Sequence, residues 1–192
     1  MIPRLNHKSE LNQKYANFLT ELAKTPFTGE IRTDFANRLI LSTDNSIYQV
    51  LPQGVVFPRS SDDLVHLFRL ADRESYQEIT FSPRGGGTGT NGQSLSPGII
   101  IDCSKYMKQI LEMNLEEGWV RVQPGVILDQ LNNYLQPYGV FFAPSVAPSS
   151  RATLGGMINT DACGKGSRIY GRTSDHILEL TWILVDGTVA RS

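Results

Sequence analysis

The chain has 192 residues, 40% of them hydrophobic and 19% charged, with a formal net charge of -1. That length gives one large domain or two small lobes and a core that needs no staples, and the near-zero charge excludes a global field to gather nucleic acid or an anionic membrane. No apolar run approaches the roughly 18 residues of a membrane span, and the N-terminus lacks the basic start and apolar stretch of a signal peptide. Two cysteines, Cys103 and Cys163, match no metal or redox spacing. The reading is a cytoplasmic protein whose cysteines are small buried apolar residues.

Residues 10–24 read as an amphipathic helix, with Leu11, Tyr15, Phe18, Leu19 and Leu22 on one face and Ser9 as N-cap. The spacing of Ile31, Phe35 and Leu39 predicts a second helix over 30–41, followed by a polar link, Ser42 to Ser46. Gly54 to Pro58 is a short strand ended by proline. Ser60 to Asp63 starts a helix with acids in its first turn, and Leu64, Leu67, Phe68 and Ala71 form its apolar face. Glu78 to Phe81 is the next strand, which completes a strand–helix–strand unit. Gly98 to Asp102 reads as a buried strand. Ile110 to Asn114 and Trp119 to Gln123 alternate as strands around the turn Glu117-Gly118, and both Trp119 and Trp182 are expected in the core. Val126 to Leu135 is helical, and Val140 to Phe142 is a short strand. Residues 143–175 are rich in glycine and serine and nearly aperiodic, which for a segment this long points to a functional loop. Ile177 to Val185 reads as a strand, with Asp186-Gly187 as a hairpin turn into Thr188 to Ala190. A returning strand this short at the very end predicts a fragment of a longer protein.

The most informative stretch is Ser82-Pro83-Arg84-Gly85-Gly86-Gly87-Thr88-Gly89-Thr90-Asn91-Gly92, directly after the apolar run Ile79 to Phe81. Glycine reaches positive φ and lets backbone approach a ligand closely. Successive exposed N–H groups in such a turn form a nest for anions, phosphates above all, and the C-terminal end of a strand is where open α/β sheets place ligands. Gly87 to Gly92 spells G-x-G-x-x-G, but Gln93 to Gly98 then leads into a strand. The dinucleotide mechanism requires a helix there, so that reading fails. A P-loop fails because no Gly-Lys-Ser/Thr follows. A flexible connector would be a Gly/Ser mixture, without Arg84 and the interleaved threonines.

Pro83 to Gly89 resembles the pyrophosphate loop of the vanillyl-alcohol-oxidase-type flavoproteins, which carry the FAD-binding PCMH-type fold. Ala152 to Gly164 resembles that family's second FAD motif, Tyr170 to Ile177 the segment after it, and Leu184 to Val189 its hairpin. The similarity covers residues 47–192. Within the family the chain resembles the bacterial YdiJ-like group, large FAD and iron–sulfur proteins that are similar to D-2-hydroxyglutarate, D-lactate and glycolate dehydrogenases.

The resemblance implies an α+β fold: a small βαβ lobe plus a second mixed or antiparallel lobe, incomplete at the C-terminus, preceded by a helical lead-in over 1–46. It implies FAD held by Pro83, Arg84, Gly85, Gly86, Gly87, Thr88, Gly89, Thr90, Asn91 and Gly92 in the first loop, and by Thr153, Gly155, Gly156, Asn159 and Gly164 in the second motif. Arg84 either offsets phosphate charge or makes a structural salt bridge under the loop. Some members attach FAD covalently through a histidine near the first loop. This chain has threonines there, which implies non-covalent FAD, with Cys163 as the alternative anchor. His176 either hydrogen-bonds near the flavin or braces backbone.

The activity implied is oxidation of a 2-hydroxy acid to a 2-oxo acid, with the electron acceptor left open and the catalytic residues beyond Ser192. Any iron–sulfur cluster would need cysteines in a longer chain. No metal site is expected from His7, His66 and His176. No nucleic-acid partner is expected either, because aromatic and basic residues do not interleave. Two alternatives remain: an enzyme of the same fold with other chemistry, such as a cell-wall precursor reductase, or a non-enzymatic module that binds a phosphorylated ligand.

Overall fold

The computed structural model describes residues 10–192; Ser9 and His7 lie outside them. The first helix, α1 (Gln13–Leu22), is capped by Asn12, whose side chain accepts from the Lys14 amide. It buries Phe18, Leu19 and Leu22. The expected helix over 30–41 divides in two. Glu30–Arg32 is a strand, β1, and Phe35–Ile40 is a short helix, α2. Asp34 explains the break, because its carboxylate caps the Asn37 amide at 3.0 Å and starts the helix there. Phe35 and Leu39 remain exposed, so their spacing marks no buried face.

Strand β2 (Gly54–Phe57) and helix α3 (Ser61–Ala71, capped by Ser60) form as expected. Helix α3 buries Val65, Leu67 and Leu70, with Leu64, Phe68 and Ala71 packed alongside. Strand β3 spans Phe81–Arg84, three residues later than the apolar run suggests. A 3₁₀ turn over Glu74–Tyr76 takes up the intervening chain, and the Ile79 amide donates to the Tyr76 carbonyl, so Ile79 enters the core before pairing begins. Strand β4 is Ile99–Asp102. The sheet order is β1-β2-β4-β3, with β1 antiparallel to β2 and β4 parallel to both β2 and β3. The β2-α3-β3 crossover thus skips one position, which β4 fills.

Period-two alternation divides this sheet between two cores. Val56, Ile99 and Ile101 face α1 and α3, with Phe18, Leu22, Leu67 and Leu70. Val55, Phe57 and Ile100 face the other way, towards Leu41 and Tyr106. Both faces are covered, which explains why β2 and β4 read as unbroken apolar runs. The lead-in is integral to this lobe, since α1 lies on the core and β1 forms a sheet edge.

The second lobe starts with the antiparallel pair β5 (Ile110–Asn114) and β6 (Trp119–Val122), joined through Gly118 at φ +72°. Helix α4 (Leu128–Leu135) packs on it through Leu131 and Leu135, with Val126 and Leu154. Val140–Phe142 is not a strand. Val140 and Phe141 are exposed, and the Phe142 amide is held by the Asn132 side chain at 2.8 Å, not by a strand partner. The long loop contains two short helices, α5 (Leu154–Asn159) and α6 (Ser167–Tyr170), and a 3₁₀ turn at Ser174–His176. Strands β7 (Thr181–Ile183) and β8 (Val189–Arg191) form the expected hairpin, with Gly187 at φ +80°. Trp182 is 41% exposed on this hairpin and Trp119 only half-buried, so neither is a core residue. Among the described residues no helix is long and apolar enough to cross a membrane.

Candidate functional site

The first glycine loop leaves the C-terminal end of β3 and meets the second motif directly. A Cβ on Gly85 would lie 2.0 Å from Thr153 Oγ1, and a Cβ on Gly86 would lie 2.0 Å from the Arg151 carbonyl oxygen. Arg151 Nη2 donates to the Gly86 carbonyl at 3.1 Å. Only glycine permits this approach at 85 and 86. Two bends some 70 residues apart in sequence meet at these atoms.

The amide inventory shows what the contact leaves free. None of the amides from Gly85 to Thr90 donates to another protein group among the described residues. A run of unpaired donors in a glycine turn is a nest that suits phosphate oxygens. Thr88 is half-buried, while Thr90, Asn91 and Pro83 are exposed. Gly87 holds φ +61° and Gly92 φ +74°, conformations that side chains rarely adopt. Gly89 lies against the Gln93 side chain, whose Oε1 accepts from the Asn91 amide.

Arg84 lies under this loop. It is 8% exposed, and its Nη2 donates to the Thr43 carbonyl at 2.7 Å. Nη1 reaches the Leu41 carbonyl at 3.5 Å and Ser94 Oγ at 3.3 Å. Burial lowers the pKa of the guanidinium, while the charges of Asp102 and Asp44 oppose that effect. The brace is made mainly to carbonyls, with no carboxylate in direct ion-pair contact among the described residues.

The second motif uses its backbone differently. The Thr153 side chain caps α5 at the Gly156 amide, 3.4 Å away. Gly155 lies against Pro124, with a Cβ position 2.7 Å from that ring, and its amide donates to the Pro124 carbonyl at 2.9 Å. Gly164 lies against the Ser145 carbonyl oxygen, 2.2 Å from its Cβ position. A Cβ on Gly156 would meet only Thr153 Oγ1, at 3.2 Å, and Asn159 is exposed at the end of α5. Asp161 adopts φ +44°. Its carboxylate accepts from the Ser174 amide at 3.0 Å and from Arg172 at 3.3 Å, which ties the motif to the segment after it. Hydrogen bonds from Ser174 and Arg172 hold the Asp161 carboxyl below its usual range. His176 Nε2 lies 2.6 Å from the Tyr170 carbonyl, so it braces backbone.

Cys103 is largely buried, and desolvation with the nearby Asp102 charge pushes its thiol up to about 12. Cys163 is exposed, contrary to the expectation of burial. A shallow depression lined by Asn132, Gln136, Val140 and Phe141 includes none of the glycine-loop residues. No metal-binding cluster exists among the described residues.

A family model described as an FAD binding domain matches residues 52–192. The chain belongs to this family. Its fold is similar to that of alkyldihydroxyacetonephosphate synthase, with a TM-score of 0.79 at 22% identity over 94% of this chain and 35% of that one. The FAD-binding PCMH-type fold expected from the motifs is thus the fold observed. A D-2-hydroxyglutarate dehydrogenase of Escherichia coli (strain K12) is 57% identical over 189 residues, which cover 98% of this chain and 19% of that protein. A mitochondrial D-lactate dehydrogenase (cytochrome) of Arabidopsis thaliana is 30% identical over 96% of this chain and 32% of its own length. The chain therefore spans about a fifth of the length of its bacterial relative.

The residues of this FAD binding domain fit a dinucleotide. Unpaired amides line the loop, no side chain could occupy Gly85 or Gly86, and Arg151 brings a cation to the same carbonyl. Sequence patterns missed Arg151, Asp44 and Ser94. Arg151 had one signal, a basic residue next to the Ala152–Gly156 motif. Asp44 lies in the stretch Asp44 to Tyr48, which resembles the same group, but neither its role nor that of Ser94 was legible, because each depends on a fold contact.

Proposed function

We propose that this chain is the FAD-holding part of a flavin-dependent 2-hydroxy-acid dehydrogenase. The observation that carries the reading is the closure of the first glycine loop on Arg151 and Thr153, with the amides of Gly85 to Thr90 left unpaired. Bound FAD supplies a hydride acceptor for the substrate α-carbon, which leaves a 2-oxo acid. The 57% identity to a D-2-hydroxyglutarate dehydrogenase favours D-2-hydroxyglutarate over D-lactate or glycolate.

The work of these residues is to bind and orient. Amides from Gly85 to Thr90 donate to diphosphate oxygens, and the hydroxyls of Thr88 and Thr90 add further donors. Arg151 offsets phosphate charge from the second motif. Gly156, Asn159 and Gly164 extend the same site, and Pro83, Asn91 and Gly92 shape the ends of the loop. Attachment is non-covalent, since residues 82–92 contain no histidine. The lead-in, from residue 10 to 46, and the FAD part (47–192) form one packed unit with the binding residues on the second. The electrons leave to an acceptor outside these residues.

The test uses the full-length protein loaded with FAD, mixed anaerobically with D-2-hydroxyglutarate, D-lactate and glycolate in turn. Loss of the visible absorbance of oxidised flavin with one of these acids is expected, fastest with D-2-hydroxyglutarate. A bound flavin that none of them bleaches would remove the dehydrogenase reading. Acid precipitation should leave the flavin in the supernatant; flavin in the pellet would contradict non-covalent attachment.

A further inference from the structure

The lead-in contacts the glycine loop at several atoms. Residues 42–50 form a closed turn: the Val50 amide donates to the Ser42 carbonyl at 2.9 Å, and Thr43 pairs with Gln49. From this turn the Asn45 amide donates to the Gly87 carbonyl at 3.2 Å. The Thr43 carbonyl, and the Leu41 carbonyl just before the turn, accept from the Arg84 guanidinium. The Asp44 carboxylate accepts from Ser94 Oγ at 3.1 Å, and Ser94 in turn accepts from Arg84. Tyr48 lies against Gly92, 3.0 Å from its Cβ position. The glycine loop is thereby fixed at 84, 87, 92 and 94. Leu41, Thr43, Asp44, Asn45 and Tyr48 all precede residue 52, where the FAD binding domain match begins.

We propose that the 42–50 turn is a positioning element of the FAD site, holding the glycine loop through Asp44, Ser94 and Arg84 in the shape that receives the diphosphate. The inference rests on the FAD reading above. A glycine-rich loop has the most backbone freedom to lose on binding, and a loop already held in its bound form avoids most of that cost. The tether also uses a buried guanidinium, whose planar fork can reach two carbonyls and a hydroxyl together; a lysine ammonium lacks that geometry. Asp44 completes the network. Burial disfavours its charge, but hydrogen bonds from Ser46 and Ser94 and the Arg84 charge outweigh that and hold its carboxyl below the usual range.

The experiment compares the full-length protein with its Asp44→Ala and Ser94→Ala variants, each freed of flavin and titrated with FAD by flavin fluorescence. Each variant should raise the FAD dissociation constant by about tenfold, equivalent to about 1.4 kcal/mol. Amide hydrogen exchange at 85–92 in the flavin-free protein should quicken in both, while exchange in β4 stays at the wild-type rate. The double variant should add little to either single one, because both cut the same link. A merely structural role would lower the melting temperature and leave the dissociation constant of the folded protein unchanged. Dissociation constants within about twofold of wild type would overturn the tether. Should Asp44→Ala fail to fold, Ser94→Ala, which removes a single hydroxyl, decides the matter by the same criteria. Wild-type protein that bound no FAD would overturn the flavin reading and the tether together, whereas unchanged binding in an FAD-binding protein overturns the tether alone.

Discussion

The two glycine motifs use one residue type for different physical ends. In the first, Gly85 and Gly86 make room for a neighbouring chain segment while the amides from 85 to 90 stay unpaired. In the second, Gly155 makes room for Pro124 and its amide is already engaged with the Pro124 carbonyl. One motif is a set of available donors; the other is a packed wall that shapes and closes it. Glycine density alone therefore does not locate a ligand grip, and the amides must be accounted for one at a time.

The comparison is broken most severely at Gly86. A valine there drives a side chain into the Arg151 carbonyl, a backbone atom that cannot swing aside. We expect FAD affinity to fall by about a hundredfold and stability by about 1–3 kcal/mol, measured by flavin titration and thermal melting of the full-length protein. Gly155→Ala sharpens the contrast. Its Cβ meets Pro124, so stability should drop by about 1–3 kcal/mol while FAD affinity of the folded protein changes by less than about threefold. Equal losses of affinity at 86 and 155 would erase the distinction between grip and wall.

Thr153→Ala removes the α5 cap and the hydroxyl that touches Gly85, and should cost about 1 kcal/mol in a melting experiment. Acid should loosen both motifs, because Asp44 under the first and Asp161 in the second are each held below 3.8. A depressed folded-state pKa gives stability that is whole above about pH 3.8 and is lost as the pH falls through the lower folded-state value. Asparagine at either position should abolish that motif's acid sensitivity in amide exchange measured across this range. The smallest effect concerns the thiols. Cys163, exposed in the second motif, should alkylate readily in the native protein. Cys103, with its thiol pushed up to about 12, should react only after unfolding.

Much of the fold was legible because local and tertiary preferences agree. Strands β2 and β4 are apolar throughout because both of their faces are buried, and Ser60 with Asp62 and Asp63 marks the start of α3. Strand β1 was not legible. It has three residues, and Ile31, Phe35 and Leu39 happen to fall at helical spacing across the Asp34 cap. Val140 to Phe142 looked like a strand because apolar β-formers cluster there, yet no strand pairs with it among the described residues and Asn132 holds the backbone instead. At the site, clustered glycines and the strand before them identified the first loop. A structural role for Arg84 under the loop was one of two readings, but its carbonyl acceptors could not be read from sequence, because they lie some 40 residues earlier and meet it only after the lead-in folds onto the sheet. Gly155 was legible as a required glycine, but its neighbour Pro124 was not.

Amide hydrogen exchange of the full-length protein with and without FAD tests the division between the motifs most directly. FAD should slow exchange at the amides from Gly85 to Thr90 by about tenfold or more, while the Gly155 amide, already bonded to Pro124, exchanges slowly and equally in both states. Amides at 85–90 that exchange at the same rate with and without bound FAD would contradict the account.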